Sequence, residues 1–316
     1  MLKIACRLLS LIILVSASAL ADTRPQAKVL IIPKGINLTF WQVVEAGVKQ
    51  ASNDLNTPVI WRGPYNDDDL NSQIAIIRNY LDSDIQVLAV AAIDAHMLTP
   101  FILQYQRRGK QILVFDSEAI GVNPLSFIAS NNYQAGVSLV KSIESHLPKE
   151  IHAVIVQNDS GHASTEDRAI GIQEQLKKYP VSSVKLIDGG PTRGSALHET
   201  YDTLVAHPEI NLILTVNEAT TEGAALAIRK LNRSNVIVAG FDLNDTIYRL
   251  LNEGIITQLV LQDPYAMGYL VMQQAAKLLA GERIEPRYEI PIRLVNKQSL
   301  SDADIAAFLR QYLASD

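Results

Sequence analysis

Short apolar runs alternate with longer stretches of helical spacing along nearly the whole chain from Lys28 onward. The runs are continuously apolar and rich in Val, Ile and Leu, which is typical of strands buried on both faces of a sheet. They lie at Val29–Ile32, Val59–Trp61, Val87–Val90, Ile112–Phe115, Val154–Val156, Val184–Ile187, Leu212–Val216, Val236–Val238 and Ile256–Val260. The helical patterns between them lie at Trp41–Ala51, Leu70–Leu81, Leu98–Arg108, Ala135–Leu147, Thr165–Tyr179, Ser195–Val205, Thr221–Leu231, Thr246–Leu251 and Tyr265–Leu279. This alternation predicts parallel sheets covered by helices on both faces.

The number of strand–helix units exceeds what one open sheet holds comfortably. We therefore predict an α/β fold with two lobes, each built on a doubly wound parallel sheet. A short apolar run, Phe127–Ala129, ends in polar residues Ser130–Asn132, which favours a passage between the lobes there. The last segment, residues 300–316, has the spacing of an amphipathic helix.

Composition and charge narrow the class of function. The chain has 316 residues, of which 48% are hydrophobic and 19% charged, and its formal net charge is −5. An acidic chain without a Lys/Arg-rich block argues against a nucleic-acid partner. Cys6 is the single cysteine, and the six His residues lack HxxxH spacing. We therefore expect neither a metal site nor a cofactor.

The first residues have the order of an export signal. Lys3 and Arg7 precede the apolar run Leu8–Val15, and the small-residue pattern Ala19–Ala21 follows. This order predicts a signal peptide over residues 1–21 that is removed on export, because the apolar part is too short for a membrane span. A buried first helix is the alternative. The sequence thus predicts a soluble protein of the periplasm.

Two buried strands each end in Phe-Asp, at Asp116 and at Asp242. Ligands of open parallel sheets bind outside the carboxyl ends of the strands, so both carboxylates are expected to face a cleft between the lobes. The alternative is that each Asp caps the helix that follows it.

Other strand ends carry Lys34, Asn217 and Gln262, and the aromatic pair Phe40–Trp41 opens the first helix. Carboxylates and amides bond hydroxyl groups, and flat aromatic rings cover apolar C–H faces, so the set suits a neutral polyhydroxylated ligand. The alternative for the aromatic pair is a place in the core, because adjacent helix residues cannot both face one side.

Arg168 lies near the start of a predicted helix that Ser164 or Thr165 would cap, where a cation opposes the helix dipole. A ligand contact from its guanidinium would explain it, and a surface ion pair is the alternative. The acidic run Asn66–Asp69 lacks the glycine and glutamate of a calcium loop, so we interpret it as a solvated helix start. The motifs GxGxxG after the first strand, GxxxxGK[ST] and GxSxG do not occur, and no enzymatic activity is expected.

The order of these motifs resembles that of the periplasmic sugar-binding proteins of the ribose-binding type, within the type I periplasmic binding protein superfamily, from about Lys28 to Lys297. The motifs are FWQVVEAG (40–47), VFDSEA (114–119), IASNN (128–132), STEDRAIGI (164–172), TVNEATTEGAALA (215–227), VAGFDLND (238–245) and QDPYAMG (262–268). The segments Ile32–Lys34 and Asp116–Glu118 are similar instead to those of autoinducer-2 and rhamnose receptors. The resemblance implies that the ligand contacts come from Lys34, Phe40, Trp41, Asp116, Arg168, Asn217, Asp242 and Gln262.

The resemblance also implies an architecture and a role. Two lobes joined by a hinge would comprise residues 22–130 with 263–293 and residues 131–262 with 294–316. The protein would be a monomer that closes on a sugar or sugar-like molecule and delivers it to the permease of an ABC transporter. The alternatives are a receptor that signals to a membrane sensor kinase or chemoreceptor, and an exported α/β enzyme. A cytoplasmic repressor is disfavoured by the signal segment.

Overall fold

The computed structural model describes residues 27–158 and 161–313, so the predicted signal peptide lies outside the described residues. Within these residues, twelve strands form two sheets of six strands each. The strands are β1 (Val29–Ile32), β2 (Val59–Trp61), β3 (Val87–Val90), β4 (Gln111–Phe115), β5 (Ser126–Ala129), β6 (Ile151–Gln157), β7 (Val181–Asp188), β8 (Leu212–Thr215), β9 (Ile237–Phe241), β10 (Gln258–Leu261), β11 (Arg287–Glu289) and β12 (Arg293–Val295).

The helices of the described residues alternate with the strands, except that no helix separates β4 from β5 or β11 from β12. They are α1 (Thr39–Asp54), α2 (Leu70–Asn79), α3 (Thr99–Arg107), α4 (Asn132–Ser142), α5 (Ala163–Leu176), α6 (Arg193–Ala206), α7 (Glu218–Leu231), α8 (Asp245–Glu253), α9 (Pro264–Leu279) and α10 (Ala303–Leu309). Two short 3₁₀ helices span Glu144–His146 and Gln298–Ser301. None of the described helices has the length and the hydropathy that crossing a bilayer requires.

The two sheets have the same strand order. The first runs β11-β5-β4-β3-β1-β2 and the second β12-β10-β9-β8-β6-β7, so that β1 to β5 correspond to β6 to β10. Neighbouring strands are parallel, except that β12 pairs antiparallel with β10. Each lobe is therefore a doubly wound α/β unit of the predicted class.

The central strands β1, β3 and β8 are buried on both faces, as their continuous apolar runs predict. The edge strand β7 is mostly exposed, so the prediction of a buried run at Val184–Ile187 was wrong. In β1, Val29 and Ile31 join one apolar cluster while Leu30 and Ile32 join another. The second sheet divides in the same way, because neighbouring residues of β6 also belong to two clusters. Helices must cover both faces, and they do so in pairs: α1 packs on α9, α4 on α5, and α6 on α7.

Reciprocal glycine contacts bring two of these helix pairs unusually close. A Cβ on Gly47 of α1 would collide with the backbone of Tyr265, and one on Gly268 of α9 would collide with the backbone of Val44. The pair α4–α5 repeats the arrangement, because a Cβ on Gly136 would collide with the carbonyl of Arg168. The latter contact lets the backbone of Arg168 in α5 approach α4 closely.

The chain passes from one sheet to the other between β5 and α4, between β10 and α9, and between β11 and β12. The residue bounds that we drew for the two lobes stay a prediction. The strands β11 and β12 were missed because each has three residues with exposed positions and no apolar run. The terminal helix ends at Leu309, before the end of the amphipathic pattern.

Candidate functional site

A narrow cavity lies between the carboxyl edges of the two sheets. It is lined by Lys34, Leu38, Phe40, Trp41, Asp67, Asp116, Ser164, Thr165, Arg168, Asn217, Glu218, Asp242 and Gln262. All eight residues that the sequence proposes for ligand contact are in this set. Their binding role stays a prediction, but the fold brings all of them together.

Asp116 and Asp242 are held in a backbone conformation that is unusual for residues other than glycine. Their φ angles are 56° and 64°, in the left-handed region. Each N–H donates to the next strand of its sheet, to Ile128 O at 2.9 Å and to Val260 O at 3.0 Å respectively. Neither residue caps a helix, because β4 leads to β5 without a helix and Asn244 caps α8. The capping alternative is therefore wrong for both.

Arg168 is buried in the cleft and bonded on several sides. Its Nε donates to Asn132 Oδ1 at 2.9 Å, its Nη1 donates to Val216 O at 2.9 Å, and Nη1 lies 3.7 Å from Asp242 Oδ2. The guanidinium also lies over the Phe241 ring, 4.6 Å from its centroid. A surface ion pair is thus excluded. The expected cap was wrong, because α5 begins after His162 and no side chain caps it.

Lys34 makes a contact across the cleft. Its Nζ donates to Ser164 Oγ at 2.9 Å and lies 3.5 Å from Asp116 Oδ2. Burial lowers the pKa of Lys34, and the neighbouring carboxylates of Asp116 and Asp67 act against this decrease. An ammonium group in this position bonds the second lobe through Ser164 and can donate to a ligand oxygen.

Asp67 was missed by the sequence analysis, which treated residues 66–69 as a solvated helix start. Asp69 does start α2, since its side chain accepts from Ser72 N at 2.9 Å. Asp67 instead lines the cavity, and burial raises its pKa to about 6. The loop that holds it follows β2, which is parallel to β1, and so it reaches the same sheet edge. The strand-end rule would have found Asp67 had it been applied to this loop.

Asn217 and Glu218 begin α7. The side-chain oxygen of Asn217 accepts from Thr220 N at 3.0 Å as the helix cap, which leaves the amide N–H groups without an acceptor among the described residues. Glu218, also missed, accepts from the backbone N–H groups of Thr39 and Phe40 in the opposite lobe. Burial raises the pKa of Glu218 to about 7.

Gln262 lies in the cavity lining and forms hydrogen bonds through its side-chain nitrogen and its backbone carbonyl. Its Nε2 donates to Asp242 Oδ1 at 3.0 Å, and its backbone carbonyl accepts from the Tyr312 hydroxyl at 2.7 Å. Its Oε1 is buried and has no hydrogen-bond donor within residues 27–158 and 161–313. Buried acceptors are almost always bonded, so a ligand or a water molecule would supply the donor for this oxygen.

Phe40 and Trp41 belong both to the apolar core and to the cavity lining, as the two alternatives for this pair predict. The Phe40 and Trp41 rings meet edge to face with centroids 4.9 Å apart, and Trp41 meets Phe115 in the same way at 6.3 Å. Both side chains belong to the apolar core of the first lobe, and both also line the cavity. They provide an apolar wall whose position depends on the first turn of α1. Within the lining set there is no aromatic residue from the second lobe.

Residues 29–283 match the family model described as the periplasmic binding protein domain. The chain belongs to this family. Its members bind substrates and are not enzymes, which confirms that the chain is a binding protein rather than a catalyst. In the part of the chain that the structure describes, no cluster of three His, Cys, Asp or Glu residues could hold a metal.

Similar proteins support the ribose-binding type within this family. The ribose import binding protein of Escherichia coli (strain K12) is 20% identical over 92% of this chain and 99% of its own. The periplasmic component of an ABC-type sugar transport system from Hahella chejuensis is 30% identical, with a TM-score of 0.82 over 85% of this chain and 99% of that one. A carbohydrate transporter solute-binding protein from Agrobacterium radiobacter, solved in complex with D-arabinose, is 29% identical, with a TM-score of 0.82 over 90% and 98%.

Proposed function

We propose that this protein captures a sugar or sugar-like small molecule in the cavity between its lobes and delivers it to an ABC transporter. The observation that carries the proposal is the buried Oε1 of Gln262, an acceptor without a protein donor in a cavity lined by residues of both lobes. A ligand hydroxyl would supply the missing donor, because it can donate one hydrogen bond and accept others.

The cavity suits a neutral ligand better than an anion. Four acids line it, Asp67, Asp116, Glu218 and Asp242, against two cations, Lys34 and Arg168. Both cations already lie beside a carboxylate, at 3.5 and 3.7 Å. An added carboxylate or phosphate would therefore meet an excess of buried negative charge, whereas hydroxyl groups would find acceptors and donors without that penalty.

Capture and closure are one event in this proposal. The wall of the first lobe contributes Lys34, Asp116 and the aromatic pair, and that of the second lobe contributes Arg168 and Asp242. Only a ligand that contacts both walls favours the closed arrangement over an open one, because a ligand shifts an equilibrium by its differential affinity. Periplasmic binding proteins close around their ligands by hinge motions of this kind.

The role in transport is supported by the similar proteins of known structure. The Hahella chejuensis structure is a periplasmic component of a sugar transport system, and the Agrobacterium radiobacter structure holds D-arabinose. A periplasmic location agrees with the predicted signal peptide. The membrane partner in this proposal is the permease of the transporter.

A thermal-shift screen followed by calorimetry tests the proposal. The panel contains monosaccharides, polyols and autoinducer-2, because a tight ligand raises the melting temperature by mass action. We expect a neutral monosaccharide to bind with a Kd of about 1 μM, or about −8 kcal/mol. Uptake of that sugar in cells with and without the gene then tests delivery. Binding of none of the panel, or turnover of the bound sugar, would contradict the proposal.

A further inference from the structure

The helix α1 begins without a cap from its own sequence. Leu38 occupies the N-cap position and offers no side-chain acceptor, although the first N–H groups of a helix need partners. The partners come from the opposite lobe. Thr39 N donates to Glu218 Oε1 at 3.2 Å, and Phe40 N donates to Glu218 Oε2 at 2.9 Å.

Glu218 is held ready for this contact by its own lobe. The side-chain nitrogen of Asn244 donates to Glu218 Oε1 at 3.0 Å and to Glu222 Oε2 at 2.8 Å. Asn244 is itself fixed, because its oxygen caps α8 by accepting from Ile247 N at 2.8 Å. The carboxylate therefore needs little rearrangement to meet α1 when the lobes come together.

We propose that Glu218 is a positioning residue that clamps the lobes together by capping α1 across the cleft. This inference rests on the proposed function, because it assigns a role within lobe closure. When the lobes separate, water must replace Glu218 at the two N–H groups. A negative charge is favoured at a helix N-terminus, so closure gains both the hydrogen bonds and the interaction with the helix dipole.

The clamp also fixes one wall of the ligand cavity. Phe40 donates its N–H to Glu218, and the adjacent Trp41 packs against it. Capping the first turn thus orders the aromatic wall in the closed arrangement. One of the contacts between the lobes therefore also places the surface on which the apolar face of a sugar would lie.

Two variants separate the clamp from direct ligand contact. Glu218→Ala removes the acceptor from the second lobe. Thr39→Pro removes one donor from the first lobe, and it suits this place because proline is favoured at the first helical position and the extended Leu38 (φ −78°, ψ 148°) tolerates a following proline. Ala303→Pro is the matched control, since it places proline at the exposed first residue of α10, after the extended Asp302.

The measurement is single-molecule FRET between dyes on exposed positions of the two lobes, Arg107→Cys and Lys177→Cys, in a chain without residues 1–21. It is made at pH 8, where Glu218 is ionised, both without ligand and with D-arabinose. We expect Thr39→Pro and Glu218→Ala each to lower the closed-to-open ratio about tenfold in the ligand-free protein, with a shorter closed lifetime. Ala303→Pro should leave the ratio unchanged.

A double variant completes the test. If the Thr39 N–H acts through Glu218, Thr39→Pro should have no further effect in the Glu218→Ala background. An unchanged ligand-free ratio in Thr39→Pro, or full additivity in the double variant, would overturn the clamp. The D-arabinose measurement reports on sugar binding separately, so a failure of the proposed function would not be mistaken for a failure of the clamp.

Discussion

Asp116 and Asp242 occupy equivalent places in the two lobes. Each follows a buried Phe at the end of the fourth strand of its lobe, each has a left-handed φ, and each donates its N–H to the adjacent strand. The strand alternation sends the Phe side chain into the core and turns the next residue toward the cleft. Residues held in sparsely populated backbone conformations cluster at functional sites, which agrees with the binding role proposed for both carboxylates.

We expect Asp242→Asn to weaken sugar binding at least tenfold while the protein stays folded. Asn tolerates the left-handed conformation and keeps one acceptor oxygen, but it loses the charge that faces Arg168 at 3.7 Å. Calorimetry with the best sugar of the panel measures the affinity, and urea unfolding measures the stability.

Two further variants help to interpret the affinity of Asp242→Asn. Asp245→Asn changes an exposed acid three residues away and should leave the affinity unchanged. Asp242→Ala should destabilise the protein by about 3–5 kcal/mol, because it leaves the buried guanidinium of Arg168 without its carboxylate. Equal affinity for wild type and Asp242→Asn would remove Asp242 from the binding site.

Gln262→Met should weaken sugar binding about tenfold with little change in stability. The variant loses the Gln262 Nε2 hydrogen bond to Asp242 but also removes a buried acceptor without a donor, and the two effects on the free energy of unfolding oppose each other to within about 1 kcal/mol. Gln274→Met is the matched control, since Gln274 is buried outside the cavity and accepts from the Tyr288 hydroxyl. Retained affinity in Gln262→Met would contradict the role assigned to Oε1.

The central strands of the sheets are predictable from the sequence because parallel strands buried on both faces consist of continuous apolar runs. Val87–Val90 is predicted and observed with the same bounds. Helix starts are less predictable, because α1 begins at Thr39, two residues before the apolar periodicity, and its cap lies in another lobe. No local pattern contains that partner.

Some residues of the site were predictable from the sequence and others were not. Asp116 and Asp242 follow obvious strands, so the rule of strand ends finds them. Asp67 follows β2, a strand of three half-buried residues that predicts less about the loop after it. Glu218 was adjacent to a predicted residue, but its partners are backbone N–H groups 178 and 179 residues away, which no side-chain pattern encodes.

A phosphorylated sugar should not compete with the neutral sugar. The four acids of the cavity outnumber its two cations, and the phosphate would add buried negative charge with no free cation to meet it in the lining set. Competition calorimetry with D-ribose 5-phosphate, at concentrations up to a thousandfold above that of the sugar, measures this. Displacement of the sugar at comparable concentrations would show that Lys34 or Arg168 is available to an anion.

Gly268→Ala should destabilise the protein by about 1–3 kcal/mol, because the added methyl group collides with the Val44 carbonyl where α9 packs on α1. Gly194→Ala is the control. A Cβ there meets only Thr192 Oγ1, at 3.7 Å, in the first turn of α6, so alanine should stabilise the protein by about 0.5–1 kcal/mol. Urea unfolding compares the two. Equal effects would mean that the glycine contact does not set the spacing of the helices.

Acidification should destabilise the folded protein through His162. Burial, together with the nearby Lys34, lowers the pKa of His162 to about 3 from an ordinary value of 6.5. Below pH 6.5, His162 is therefore protonated in the unfolded chain but stays neutral in the folded protein. The free energy of unfolding decreases as the pH falls from 6.5 toward 3. Between pH 7 and pH 5 this amounts to about 2 kcal/mol. The variant His162→Gln cannot titrate at this position. The difference in unfolding free energy between wild type and His162→Gln should therefore change by about 2 kcal/mol between pH 7 and pH 5. A difference independent of pH would show that the pKa of His162 is the same in the folded protein as in the unfolded chain.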